Sequence, residues 1–418
     1  MNHTSLLPTL FRTEYGKIVA VITRHFGLEH IEIAEDITSE TFLLAAETWG
    51  KKGIPENPSA WLYTVAKNKA KDYLKHHQIF SEKVAIEIQN THRNIQTYEP
   101  DLSNENIKDS ELRMLFAICH PCLTIESQIG LALRILFGLG IEEIAEAFLS
   151  NKEAINKRLH RAKDKLKKEN VSLEIPNDTE INHRLSAVHA TLYLLFNEGY
   201  HSTTHNRPLR KEICFHALYL AHHLAEYKKT NTPDLNALIS LMCFHASRFE
   251  ARIQNGEPIL WEDQEHSLWN QELINTGEIY LNRSARGDQL SKYHLEAAIA
   301  YWHTQTHDEP EKWQNILQYY NILLQIEYSS IAALNRTYAL FKVEGPQKAL
   351  VEIRKLGLEE NHLYHALLGH LFQINDSNSA ITCFEESYRL AKTEADKKII
   401  QNKIDILKLQ MAKLSSRA

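Results

Sequence analysis

Apolar side chains in this chain recur at spacings of three and four residues and show little sustained alternation. Phe11, Tyr15, Ile18, Val19 and Ile22 trace one such stripe, and Ile141, Ile144, Ala145 and Phe148 trace another. Residues three and four apart share one face of an α-helix, whereas a half-buried strand needs a period of two. Gly and Pro are scarce, at 14 and 11 of 418 residues, so few positions can interrupt a helix. The fold is therefore expected to be all-α. A chain of this length exceeds one comfortable core, and two to four domains are expected.

Residues 1–78 read as one helical domain. Its first helix ends near Gly27, and its second runs from about Ile33 to Trp49 with Ile37, Thr41, Leu44 and Ala45 on the apolar side. The breaker-rich GKKGIPENPS follows, and Asn57-Pro58-Ser59 introduces a third helix. Residues 79–106 are polar and aperiodic, as a linker would be. Helical pattern resumes over 107–170, and 171–418 is a long run of further helices. Near its end AALNRTYALF and KALVEIRKL line up with YHALLGHLF and SAITCFEESYRL, pairing Phe341 with Phe372 and Ala349 with Ala380. Helix–turn–helix units repeating in this way suggest tetratricopeptide-like stacking.

The formal net charge of −6 gives no global case for binding nucleic acid. One segment departs from it: SNKEAINKRLHRAKDKLKK, Ser150 to Lys168, holds eight Lys and Arg side chains. Ser150 and Glu153 are placed to form a capping box. Ile155, Leu159, Ala162 and Leu166 form the inward stripe of the helix. The other face carries Lys152, Asn156, Lys157, His160, Arg161 and Lys163, with Arg158 and Lys165 beside them. With the short apolar-faced helix before it, this makes a helix-turn-helix whose second helix suits a DNA major groove. A solvated Lys-rich face is the plain alternative. The one-sided charge, the cap position and the length of the upstream helix favour DNA contact.

Other chemistry is not expected. The N-terminal residues lack the basic and apolar regions of a signal peptide, and the longest apolar run, Ile129 to Ile141, is broken by Arg134 and too short for a bilayer. A cytoplasmic protein without membrane association is expected. Five cysteines argue against a disulfide framework, and Cys119-His120-Pro121-Cys122 has no second ligand pair to complete a zinc site. No Gly-rich phosphate loop, HExxH or GxSxG occurs, so no enzyme is expected. His201, His205, His216, His222, His223 and His245 gather in mid-chain, but histidine is frequent throughout, and neither a metal nor a cofactor is expected. FNEGYHS reads as a helix end with Gly199 near its C-cap.

Taken together, IEEIAEAF…NKRLHRAKDKL resembles the −35-reading domain of sigma-70-family factors of the extracytoplasmic-function type. AEDITSETFLLA resembles the region of that family that docks on the clamp helices of the largest subunit of RNA polymerase core. NPSAWLYTVAKNKAKDYLK resembles the helix that melts and holds the −10 strand. The resemblance implies core-polymerase contacts at Asp36, Glu40, Thr41 and Phe42. It implies −10 contacts at Trp61, Tyr63, Lys67, Asn68, Lys69 and Lys71, where aromatics interleave with cations as single-strand binding requires. The −35 contacts would fall on Lys152, Asn156, Lys157, Arg158, His160, Arg161 and Lys165.

The later segments LYLLFNEGYHST, EDQEHSLWNQELI and KYHLEAAIAYWH resemble the subgroup with a long tetratricopeptide-like C-terminal extension. That implies an extension regulating the sigma domains, contact with the flap of the second polymerase subunit, and a small YCII-related (DGPF) protein as an associated partner. A ligand-responsive helix-turn-helix regulator acting without core polymerase is the alternative function.

Overall fold

The computed structural model describes residues 3–85, 100–148, 150–200, 210–254 and 257–415. It is helical almost throughout, with nineteen α-helices among the described residues and one two-stranded ribbon. The chain divides into two compact units, Met1–Glu198 with Phe215–Thr230, and Gly199–Cys214 with Asn231–Ala418.

The first unit opens with α1 (His3–Phe26), α2 (Ile31–Lys52) and α3 (Pro58–Ala85). The stripe read from the sequence is its core: Tyr15, Ile18, Val19 and Ile22 of α1 are fully buried. Burying side chains of this size contributes about 1.5–3 kcal/mol each. Gly27 closes α1 at φ 94°, a conformation that glycine adopts without steric cost. The α3 helix continues beyond residue 78 to Ala85, into the stretch read as linker, because nothing in residues 78–85 breaks a helix. The remainder of that stretch, up to residue 99, lies outside the described residues.

Next come α4 (Asn104–Ile118), α5 (Ile125–Ile135), α6 (Ile141–Ala147) and α7 (Lys152–Lys168). Here the expected capping box is displaced by one residue. Asn151 is the N-cap of α7, its side chain accepting from the Ala154 amide at 2.8 Å, while the Ser150 amide donates to Ala145 at the end of α6. Asn caps a helix about as well as Ser.

These helices do not stand apart from the first three. At Gly16 in α1 an added Cβ would lie 2.0 Å from the carbonyl oxygen of Leu136, the C-cap of α5. Gly138, at φ 63°, turns the chain beneath Phe11 and Tyr15. Most of α8 (Asp178–Tyr200) and most of α9 (Lys211–Glu226), from Phe215 through the turn to Thr230, fall in the same unit. Glu111 of α4, fully buried, meets His216 of α9 at 2.9 Å.

The second unit is built on α10 (Pro233–Ala246), almost wholly buried. Thr232 caps it by accepting from the Leu235 amide, with Pro233 in the first turn where no amide is missed. A four-residue helix, α11 (Phe249–Arg252), leads into the antiparallel ribbon of β1 (Ile253–Gln254) and β2 (Glu257–Pro258). Then follow α12 (Gln271–Ser284), α13 (Lys292–Thr304) and α14 (Pro310–Ile326). Gly277 lets α12 press on Phe244, whose ring an added Cβ would meet at 2.6 Å.

The C-terminal helices are α15 (Ser330–Glu344), α16 (Pro346–Arg354), α17 (His362–Phe372), α18 (Ser377–Leu390) and α19 (Glu394–Ser415). Neighbours pack in succession, α15 with α16 and α17 with α18. Ala349 and Ala380, paired in the sequence repeat, are both fully buried. Phe372 borders two successive apolar clusters, one around Ile353 and Leu368 and the next around Phe384 and Ile404. Gly369 permits that succession, since a Cβ there would stand 2.8 Å from the Phe384 ring.

FNEGYHS carries the last described turn of α8, with Gly199 one residue from its end as read from the sequence. The α8 helix runs through Tyr200, and Gly199 is required by close approach: a Cβ would lie 2.6 Å from Cys214 Sγ and 3.0 Å from the Arg210 carbonyl oxygen.

Candidate nucleic-acid interface

Three helix faces in the first unit carry the residues singled out by sequence. On α2, Asp36 and Glu40 are exposed, but Thr41 and Phe42 are buried. Thr41 donates its hydroxyl to the Ile37 carbonyl at 2.8 Å, and Phe42 packs edge-on to Phe11 at 4.9 Å. The exposed stripe of α2 instead continues through Leu43 and Leu44, 60% and 38% exposed. Leu44 thus lies outside the apolar core where the sequence placed it. Two leucines beside Asp36, Glu40 and Glu47 make an apolar strip edged with carboxylates, suited to a basic, partly apolar helix. Leu43 stood off the buried stripe in the sequence, and that mismatch was the available signal.

On α3, Trp61 is half-buried and sits edge-on to Trp49 at 5.4 Å. Asn68 is exposed, and Lys67, Lys69 and Lys71 are half-buried. Lys69 reaches back to Glu40 of α2 at 2.7 Å, so two of the faces are bridged. Tyr63 turns the other way. Its hydroxyl donates to Glu14 of α1, and burial followed by that carboxylate drives its pKa well above the ordinary phenol range. The structure thus separates Tyr63 from Asn68.

On α7, the inward stripe is as read: Ile155, Leu159, Ala162 and Leu166 are buried. Lys152, Asn156, Lys157, His160, Arg161 and Lys165 are exposed, and Arg158 lies over the Phe148 ring at 5.2 Å. Asn151, Lys157, Arg158, Arg161 and Lys165 line a groove of about 670 Å³ with the start of α5 near Thr124. Cations along a groove wall beside a helix N-terminus provide the charge for a phosphate backbone.

Lys163 does not share that outward face. It is only 13% exposed in its side chain and pairs with Glu35 of α2, itself 7% exposed. Arg134 of α5 meets the other oxygen of the same carboxylate at 3.0 Å. Lys167 meets Glu32 at 2.6 Å and holds that carboxyl below its usual range. Arg12 with Glu143 and Arg24 with Asp109 add two further ties between the first three helices and the next four. Sequence spacing could not reveal these pairs, because each joins residues far apart in the chain.

His216 serves Glu111, and His245 accepts from or donates to the Tyr200 hydroxyl at 3.0 Å. His201 and His205 lie outside the described residues. Cys119 is buried beside Thr191, its thiol pushed up to about 12 by burial, and the Cys122 amide donates to the His120 ring at 3.2 Å.

A family model described as sigma-70 region 2 matches residues 10–79, the span of α1, α2 and most of α3, which supports a sigma-70 family member. Region 2 implies interaction with RNA polymerase core and promoter DNA, in promoter recognition and transcription initiation. A second model, a family of unknown function (DUF6596), matches residues 184–285. The chain is 30% identical over 422 residues to a protein of Rhizobium meliloti (strain 1021) described as uncharacterized protein R00370, covering 99% of this chain and 98% of that one, and it belongs to the same family. No solved structure matches. Among the described residues no helix is long and apolar enough to cross a membrane.

Proposed function

We propose that this chain is an alternative sigma factor of the extracytoplasmic-function type, held closed by its own packing and governed by its C-terminal extension. The carrying observation is the Glu35 carboxylate, gripped by Arg134 from α5 and Lys163 from α7. It ties the polymerase-facing helix to the helix with the basic groove. In this reading the Asp36, Glu40 and Leu43 face docks on the clamp helices of the largest polymerase subunit. The α3 helix holds the −10 strand, α7 enters the −35 groove as the second helix of a helix-turn-helix, and the same domain contacts the flap of the second subunit. Catalysis stays with the polymerase.

Regulation by the extension is supported by most of α8 and α9, which share the unit of both sigma parts. Tyr63 is held inward at Glu14, with Glu111 of α4 and Tyr219 of α9 close enough to influence its titration. The C-terminal hairpins, with their recurring Ala and Gly contacts, support a tetratricopeptide-like repeat that could seat a small YCII-related (DGPF) partner.

The test is run-off transcription with bacterial core polymerase on a promoter pool, comparing the chain with its Glu35→Gln variant. The reading expects transcripts that depend on the chain and increase in the variant. Specific duplex binding that never requires polymerase would instead establish a ligand-responsive regulator. The absence of both core binding and transcripts would sink the sigma reading.

A further inference from the structure

The last turns of α9 carry His222, His223 and Glu226, adjacent on one side of the helix because residues three and four apart face each other. One potential ligand atom from each lies within 4.8 Å of the others. The Glu226 carboxylate stands between the two rings: Oε2 is 3.2 Å from His223 Nδ1, and Oε1 is 3.8 Å from His222 Nδ1. A tetrahedral site with bonds of about 2.0–2.1 Å sets its ligand atoms about 3.4 Å apart, so the observed separations need only small side-chain rotations to close.

An exposed His–Glu pair on a helix is ordinary, and alone it would carry nothing. His223 distinguishes this one. It is 5% exposed as a residue, yet neither ring nitrogen has a hydrogen-bond partner, the approach of Glu226 lacking hydrogen-bond alignment. Tyr219, one turn earlier, packs edge-on against the ring at 4.2 Å and fixes its plane. A buried imidazole with both nitrogens unsatisfied is costly unless something completes it. His222 and Glu226 are each about half exposed, which leaves the outer side of the site open to solvent.

We propose that His222, His223 and Glu226 bind a divalent transition cation of the zinc type, with water in the remaining position. Two imidazoles and a carboxylate are the borderline donor set such ions prefer, and an open fourth position is usual for a three-ligand site. The cation occupies one nitrogen of the buried His223 ring and clamps successive turns of α9. It rests on the geometry of α9 and not on the sigma reading.

The experiment is titration of the full chain with Co²⁺ as a visible-absorbing probe, followed by Zn²⁺ displacement. Wild type is expected to develop the d–d absorption of a nitrogen–oxygen site with a single equivalent of Co²⁺, reversed by Zn²⁺. His222→Ala and Glu226→Gln alter exposed positions, so both should keep the wild-type circular dichroism while weakening binding by about tenfold or more. Three results would overturn the proposal. They are no binding tighter than about 1 mM, affinity unchanged in both variants, or a thiolate-to-cobalt charge-transfer band that places the ion on cysteine.

Discussion

Glu35 of α2 and Arg134 of α5 meet at 3.0 Å, and Lys163 of α7 takes the other oxygen of the same carboxylate. One nearly buried anion thus compensates two cations from separate helices. Removing its charge leaves both cations without their partner in a poorly hydrated place, which costs far more than losing a surface pair. Glu35→Gln should lower unfolding free energy by about 2–4 kcal/mol in urea titration. It should also strengthen binding of the free chain to duplex DNA, since Lys163 becomes available. A variant as stable as wild type would mean that the carboxylate does not bind these helices together.

Gly16→Ala should be among the most damaging single-methyl additions in the first unit. The new Cβ would stand 2.0 Å from the Leu136 carbonyl oxygen, and backbone cannot rotate aside. Overpacking of this kind costs about 1–3 kcal/mol or more. Thermal unfolding followed by circular dichroism measures it.

The α7 face can be tested without disturbing the core. Lys157 and Arg161 are exposed, so Lys157→Ala with Arg161→Ala should leave stability within about 0.5 kcal/mol. Promoter binding within holoenzyme should weaken, and the slope of log affinity against log salt should fall by about one for each phosphate no longer neutralised.

Leu43→Asp places a charge on the exposed strip of α2 at a side chain 60% exposed. Stability should change by no more than about 0.5 kcal/mol. Association with core polymerase, measured by fluorescence anisotropy or pull-down of purified components, should weaken at least about tenfold if a carboxylate replaces an apolar anchor against the partner surface.

Lys312 provides a pH signature in the second unit. It is 1% exposed, donates to the Gln305 carbonyl oxygen at 2.8 Å and lies over the Trp261 ring at 4.3 Å. Burial lowers its pKa to about 8. Because the folded value lies below the unfolded one, the unfolded chain holds more protons between them, and this group makes stability rise with pH across that window. Between pH 8 and 10, wild type should gain on the order of 2 kcal/mol relative to Lys312→Met. Parallel profiles for the two proteins would show that Lys312 does not titrate there.

Helix content and the inward stripes were legible because they depend on local spacing. Ile155, Leu159, Ala162 and Leu166 sit where a period of 3.6 puts them. What was not legible depends on distant partners. Lys163 differs from Lys157 in no local respect, yet Glu35 draws it inward. Thr41 lies on the apolar side where spacing put it, its hydroxyl taken by Ile37, while Phe42 looked as available as Asp36 until Phe11 covered the ring. The cap moved from Ser150 to Asn151, with the Ser150 amide donating back to Ala145 at the end of α6. His223 read as compositional, since only burial reveals an unsatisfied ring.

Gly16 against Leu136 has no side chain on one surface and backbone on the other. No rotamer change can soften such a junction, and close-packed surfaces of this kind are bistable rather than continuously deformable. The joint between α1 and the end of α5 is therefore brittle. If the proposed release acts through this joint, it should be read as a threshold, with molecules either shut or released and few caught between. Graded input would then appear in a cell as a changing fraction of released molecules, while each released molecule behaves alike.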